Sequence, residues 1–129
     1  MKIYLDTGDG RQIVKGYRPG QVRVGDVSYE HSLVLSPDEI IPQWRPRHFA
    51  ELSAEDLGEL MRLDPEVVLL GTGQRLKFPP AAWLEPFLKA RVGVECMDTG
   101  AACRTYNLLL GEGRKVVAAL LLQDPPGTI

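Results

Sequence analysis

Four apolar residues in a row, Val67-Val68-Leu69-Leu70, constrain this chain more than any other feature. A strand with one face in water alternates apolar and polar side chains. An unbroken run instead fits a strand covered on both faces, the situation in a parallel sheet. Two further apolar segments follow, Gly93 to Cys96 and Val116 to Leu122. The stretches between them read as helices. After Phe78-Pro79-Pro80, with Pro80 near the first helical position, Trp83, Leu84, Phe87, Leu88 and Arg91 recur at helical spacing. Pro86 forces a kink or a late start there, because it lacks a donor and clashes one turn back. Asp98 or Thr99 caps the next helix, which runs to Leu110, and Gly111 is its left-handed stop. Residues 66–122 therefore read strand, helix, strand, helix, strand. Parallel neighbours require such crossovers, so this part predicts an α/β fold with a parallel βαβαβ core.

The first half is β-rich and irregular. Ile13 to Arg18 and Gln21 to Val24 predict paired strands around the Pro19-Gly20 turn. Val27 to Tyr29 and Ser32 to Leu35 continue the pattern, and Ser36-Pro37-Asp38 breaks it. The extended piece Ile40 to Trp44 contains Pro42, which confines it to a sheet edge or a strand end. Ser53 followed by Asp56 is a variant capping box. Leu57, Leu60, Met61 and Leu63 supply the apolar stripe of that helix, which Asp64-Pro65 ends. At 129 residues the chain is one domain, expected over 1–124, with a flexible tail over 125–129.

Fifteen basic residues against seventeen acidic ones give a net charge of −2, mixed along the chain. No broad attraction to a polyanion follows, so no nucleic-acid partner is expected. The one basic cluster, Arg45-Pro46-Arg47-His48, is short and reads as a solvated loop. Neither a secretory h-region nor a bilayer-length apolar run is legible, so no membrane partner is expected. Cys96 and Cys103 form no CxxC and suit a reducing compartment. The expected location is cytoplasmic.

Ligands of open α/β sheets sit beyond the carboxyl ends of the strands. Two such ends are legible, Gly71-Thr72-Gly73 and Met97-Asp98-Thr99-Gly100. If the strands are neighbours, these loops share one rim. Gly71 and Gly73 permit close approach, the helix opening at Gly100 offers unpaired N–H groups, and Arg104 adds a fixed cation with several donors. Gly71, Thr72, Gly73, Asp98, Thr99, Gly100 and Arg104 are thus candidates for holding a small anion or nucleotide, or for serving a small enzyme. The structural alternative is equally specific. Gly100-Ala101-Ala102 are then small for tight helix packing, and Arg104 pairs with Asp98 or a carbonyl. Gly-Thr-Gly lacks the spacing of the known phosphate loops.

No nucleophile–base pair is legible, and no catalytic residue is assigned. His31 and His48 lack metal-ligand spacing, so no metal or cofactor is expected. Cys103 is either activated by neighbouring Arg104 or buried against the sheet. Trp44, with Arg45 and Arg47, is either an exposed contact anchor for a protein partner or a plug at the end of the sheet.

Several segments carry a family resemblance. They are Pro65-Glu66-Val67-Val68-Leu69-Leu70-Gly71-Thr72-Gly73, Phe78-Pro79, Gly93-Val94-Glu95-Cys96-Met97-Asp98-Thr99, Ala101-Ala102, Arg104-Thr105-Tyr106-Asn107 and Glu112-Gly113-Arg114. Together with Ser28-Tyr29 and Ser32-Leu33 they resemble the adipogenesis-associated Mth938-like domain family across nearly the whole chain. The resemblance implies a three-layer α/β fold, with a mixed central sheet and an additional N-terminal β layer. It implies no established catalytic activity or cofactor. The family includes a mitochondrial complex I assembly factor that acts by binding other proteins, so the resemblance implies a protein-binding or assembly role. Without a mitochondrial presequence, the chain is expected to be a bacterial member.

Overall fold

The computed structural model describes residues 12–126. Its strands are β1 (Val14–Arg18), β2 (Gln21–Val24), β3 (Val27–Tyr29), β4 (Leu33–Leu35), β5 (Ile40–Ile41), β6 (Val67–Gly71), β7 (Gly93–Met97) and β8 (Val116–Leu120). Its α-helices are α1 (Ala54–Gly58), α2 (Glu85–Lys89) and α3 (Thr99–Gly111), joined by 3-10 turns at Phe49–Glu51, Glu59–Leu63 and Ala81–Leu84. β1, β2 and β3 form an antiparallel sheet. The main sheet has the order β5-β4-β8-β6-β7. β6 pairs in parallel with both β7 and β8, while β4 runs antiparallel to β5 and β8. The predicted parallel core is present inside a mixed sheet. Among the described residues no helix is long and apolar enough to cross a membrane.

Period-two alternation divides the main sheet between two cores. Leu33, Leu35, Val67, Leu69, Val116, Ala118 and Leu120 face one side, with α3 and the small sheet. Val34, Val68, Leu70, Val117, Ala119 and Leu121 face the other, with α1 and α2. All five residues of β6 and of β8 are buried, as an unbroken apolar run requires when both faces are covered.

The local signals set the element boundaries, with several shifts. Ser53 Oγ accepts from Asp56 N at 3.2 Å, and Asp56 Oδ2 accepts from Ser53 N at 2.9 Å, completing the capping box. Asp64, at φ 52°, ends that helical run. Pro86 produces the late start: a 3-10 turn precedes α2, and Pro86 occupies its first turn, where no donor is needed. Ile40 to Trp44 narrows to the two-residue edge strand β5. Gly111 stays helical, and Gly113 takes the left-handed conformation at φ 78°. Asp98, not Thr99, caps α3 by accepting from Ala101 N at 2.9 Å. The domain limit at residue 1 and most of the 125–129 tail lie outside the described residues.

Candidate functional site

Because β6, β7 and β8 run the same way, their carboxyl ends gather at one rim. Backbone bonds cross it: Thr72 N donates to Met97 O at 2.9 Å, Thr99 N to Gly73 O at 2.8 Å, and Leu121 N to Gly71 O at 2.9 Å. The predicted proximity of Gly71-Thr72-Gly73 and Asp98-Thr99-Gly100 is therefore observed. The chain fills the space between them with its own groups. Thr99, fully buried, donates from Oγ1 to Leu121 O at 2.7 Å and accepts from Gly73 N at 2.8 Å. The Thr72 hydroxyl donates to Arg75 O at 2.6 Å and accepts from Lys77 N at 3.1 Å. Asp124 accepts from Gln74 N at 3.2 Å and from Gln74 Nε2 at 3.0 Å.

The glycines at this rim serve close packing. A Cβ on Gly71 would lie 3.0 Å from Thr99 Cα, and one on Gly73, at φ 105°, would lie 2.6 Å from the Asp124 carboxylate. A Cβ on Gly100 would meet the Tyr17 ring at 3.1 Å. Burial raises the Tyr17 phenol pKa, with further contributions from Cys103, Asp124 and Asp98.

Arg104 stands apart from this network. It projects, exposed, from the first turns of α3. It lines a groove of about 250 Å³ with Lys15, Gly16, Tyr17, Gly100, Cys103 and Asn107, and forms no ion pair among the described residues. Asn107 closes the groove floor in a way the sequence reading missed. Its amide donates to Val14 O at 2.7 Å and accepts from Val14 N at 2.9 Å, supplying β1 with strand-like bonds beside its register shift. Cys103 is buried, which pushes its pKa up to about 12 against the opposing pull of Arg104; it is packing, not an activated thiol. Arg104→Ala is expected to leave the melting temperature within about 2 °C of the parent, as for other exposed surface positions. A thermal melt checks this.

The Trp44 loop differs from the open contact anchor. Trp44 is only 8% exposed and packs in the α1/α2 core, its backbone N–H donating to Ser32 O at 2.8 Å. The loop's arginines hold it there. Arg45 grips Asp56 with Nε on Oδ1 at 2.9 Å and Nη2 on Oδ2 at 2.6 Å, and also donates to Glu51 O. Arg47 Nη2 lies 2.8 Å from Glu51 Oε2. Burial pushes the Asp56 carboxyl up, but Arg45 and Ser53 outweigh it and leave the pKa below its usual value. Glu51 is held at about 2, chiefly by the Arg47 side chain and then by the Arg47 N–H. The folded chain thus favours ionised Glu51. Its contribution is full above the ordinary value of 4.5 and is lost as pH falls through about 2. Melting temperature measured against pH should show it: Glu51→Gln melts lower at neutral pH, and its curve is flatter than the parent's in acid.

A second surface was not foreseen. Leu88 reads as core from its spacing, yet it is 77% exposed, because the short α2 buries only Phe87. Leu76 and Phe78, on the connection from β6 to α2, are 50% and 70% exposed. Between α2 and β7 lies a groove of about 330 Å³ lined by Ala81, Leu84, Phe87, Leu88, Val92 and Val94.

Comparison with known proteins agrees with this architecture. Residues 14–121 match a family described as protein of unknown function (DUF498/DUF598). The chain is 30% identical over 108 residues to a Francisella tularensis protein named 13 kDa major membrane protein, covering 83% of this chain and 88% of that one. It is 34% identical over 119 residues to the zebrafish (Danio rerio) NADH dehydrogenase [ubiquinone] 1 alpha subcomplex assembly factor 3, covering 90% and 67%. It spans about half the length of the mammalian proteins of that name. The solution NMR structure of a Mth938-like domain from Bordetella pertussis superposes with a TM-score of 0.81 at 32% identity, covering 98% of this chain and 96% of that one.

Proposed function

The chain belongs to the DUF498/DUF598 family and is a Mth938-like domain, and from that premise we propose that it is a non-enzymatic protein-binding domain of the assembly-factor kind. The carrying observation is the apolar groove between α2 and β7, with Leu88 exposed at its lip, while the polar groups of the rim are satisfied internally; Phe78 and Leu76, on the connection from β6 to α2, are exposed as well. A large exposed apolar side chain at the lip of an apolar groove marks a contact surface for another protein. The relatives named as complex I assembly factors support the same reading. Affinity capture of the full chain from its host, followed by gel filtration, tests it. A stoichiometric partner that survives the column is expected; elution of the chain alone overturns the reading.

One observation favours a second reading, a small-anion site: Lys15 and Arg104 flank one groove at the start of α3. Phosphate titration followed by amide shifts decides it. Movement of Gly100 and Lys15 supports an anion there, and a flat titration removes it. We further propose a cytoplasmic location, supported by the two free thiols. Cell fractionation checks it, and recovery in salt-washed membranes, as the name of the Francisella relative would suggest, overturns it.

A further inference from the structure

β7 is the outer strand of the main sheet, and its free edge is specific about what it can accept. Gly93 N donates to Glu66 O at 3.1 Å, and Met97 O accepts from Thr72 N at 2.9 Å. In the parallel register Val67↔Gly93 through Gly71↔Met97, the odd-numbered residues of β7 therefore direct both backbone groups at β6. The N–H and C=O of Val94 and Cys96 point away from the sheet, and among the described residues no strand covers them. The side chains of Val94 and Cys96 lie on the α2 side, next to the groove whose lip is Leu88. Glu95 lies exposed on the opposite face.

This layout disfavours a second copy of the chain. The antiparallel two-fold pairing that would use all four outward groups sets Val94 opposite Cys96 of the other copy. It also sets Glu95 directly opposite Glu95, at the close, non-hydrogen-bonded spacing of about 4.5 Å. Like charges at that spacing are destabilising, and an inward or central charge is a common guard on an edge strand. A foreign strand carrying a cation at that position meets an attraction instead.

Resting on the protein-binding reading above, we propose that β7 accepts an extended segment of a partner protein in which a basic residue sits between two apolar ones. The basic side chain pairs with Glu95. The apolar pair lies over Val94 and Cys96, and its outer member enters the α2 groove. Main-chain bonds to Val94 and Cys96 supply affinity, and the alternating side chains supply selectivity, as in other strand-addition complexes.

The probe is an end-blocked peptide, Val-Lys-Val-Lys-Val, titrated into the full chain at low salt and followed by amide shifts and hydrogen exchange. The expected result is movement and slowed exchange at Val94 and Cys96. Binding should be about five- to tenfold tighter than for Val-Glu-Val-Glu-Val, the scale set by one cross-strand charge pair changing sign. Glu95→Lys reverses that preference while leaving the fold intact, since the position is exposed. A peptide N-methylated on its two lysines or on its three valines loses binding in whichever form removes the edge bonds. Equal binding of the lysine and glutamate peptides, no reversal with Glu95→Lys, or absent shifts at Val94 and Cys96 overturns the assignment. If a partner captured from the host binds Glu95→Lys as well as the parent, the edge assignment falls while the protein-binding reading stands.

Discussion

Tyr106→Ala is expected to destabilise the chain by about 3–5 kcal/mol, the range for removing a large aromatic from a packed core. Tyr106 is fully buried and is the largest such side chain among the described residues. It projects from α3 into the core shared by the main sheet and the β1-β2-β3 sheet. Its hydroxyl donates to Ser36 O at 3.2 Å, across seventy positions of sequence. Truncation therefore opens a cavity where three elements meet and leaves a buried carbonyl short of a donor. The melting temperature should drop by roughly 10–20 °C for a domain of this size. Tyr106→Phe isolates the hydroxyl and should cost only about 1 kcal/mol. Equal losses for the two variants would show that the hydrogen bond, not the ring, secures this position.

Thr99→Val should cost about 2–4 kcal/mol, although the two side chains have nearly the same shape. The change keeps the packing and removes the hydroxyl that joins β6 to the exit of β8. Gly73 N then has no acceptor and Leu121 O no donor in a site from which water is excluded. A buried group left in that state costs its full desolvation, on the order of 1–3 kcal/mol for each. Thr99→Ser retains the hydroxyl and should lose clearly less. Urea denaturation of the three proteins, read at the midpoint, makes the comparison. A valine variant as stable as the parent would mean that the rim rearranges freely, and would reopen it as a place for a ligand.

The parallel core was legible because a run such as Val67 to Leu70 has few other ways to be buried, and because Asp98, Pro86 and Ser53 act on their own neighbours. What the letters left out depends on distant partners. Asp98 and Thr99 are both capping residues by type. Only the nearness of Gly73 and Leu121 sends the Thr99 hydroxyl back into the sheet. Trp44 stood undecided between anchor and plug until Arg45 met Asp56 and drew the loop over α1. Leu88 departs from its helical spacing for a different reason: the 3-10 turn at Ala81–Leu84 changes the phase between Trp83 and α2. The free edge of β7 was invisible because apolar segments state that they are strands, not who stands beside them.

The place of β8 in the main sheet governs how the chain can be made. The last of the described strands in chain order stands in the middle, with β4 on one side and β6 on the other. A nascent chain that has emerged only as far as residue 115 holds two fragments, β5-β4 and β6-β7, each with a raw inner border and nothing to join them. Closure waits for β8 to emerge from the ribosome, and the Leu33 to Leu120 pairing then spans most of the described residues. Such distant pairings are slow to find. Products cut short before β8 should therefore be sticky and quickly degraded, and shielding by a chaperone should matter most until β8 has emerged.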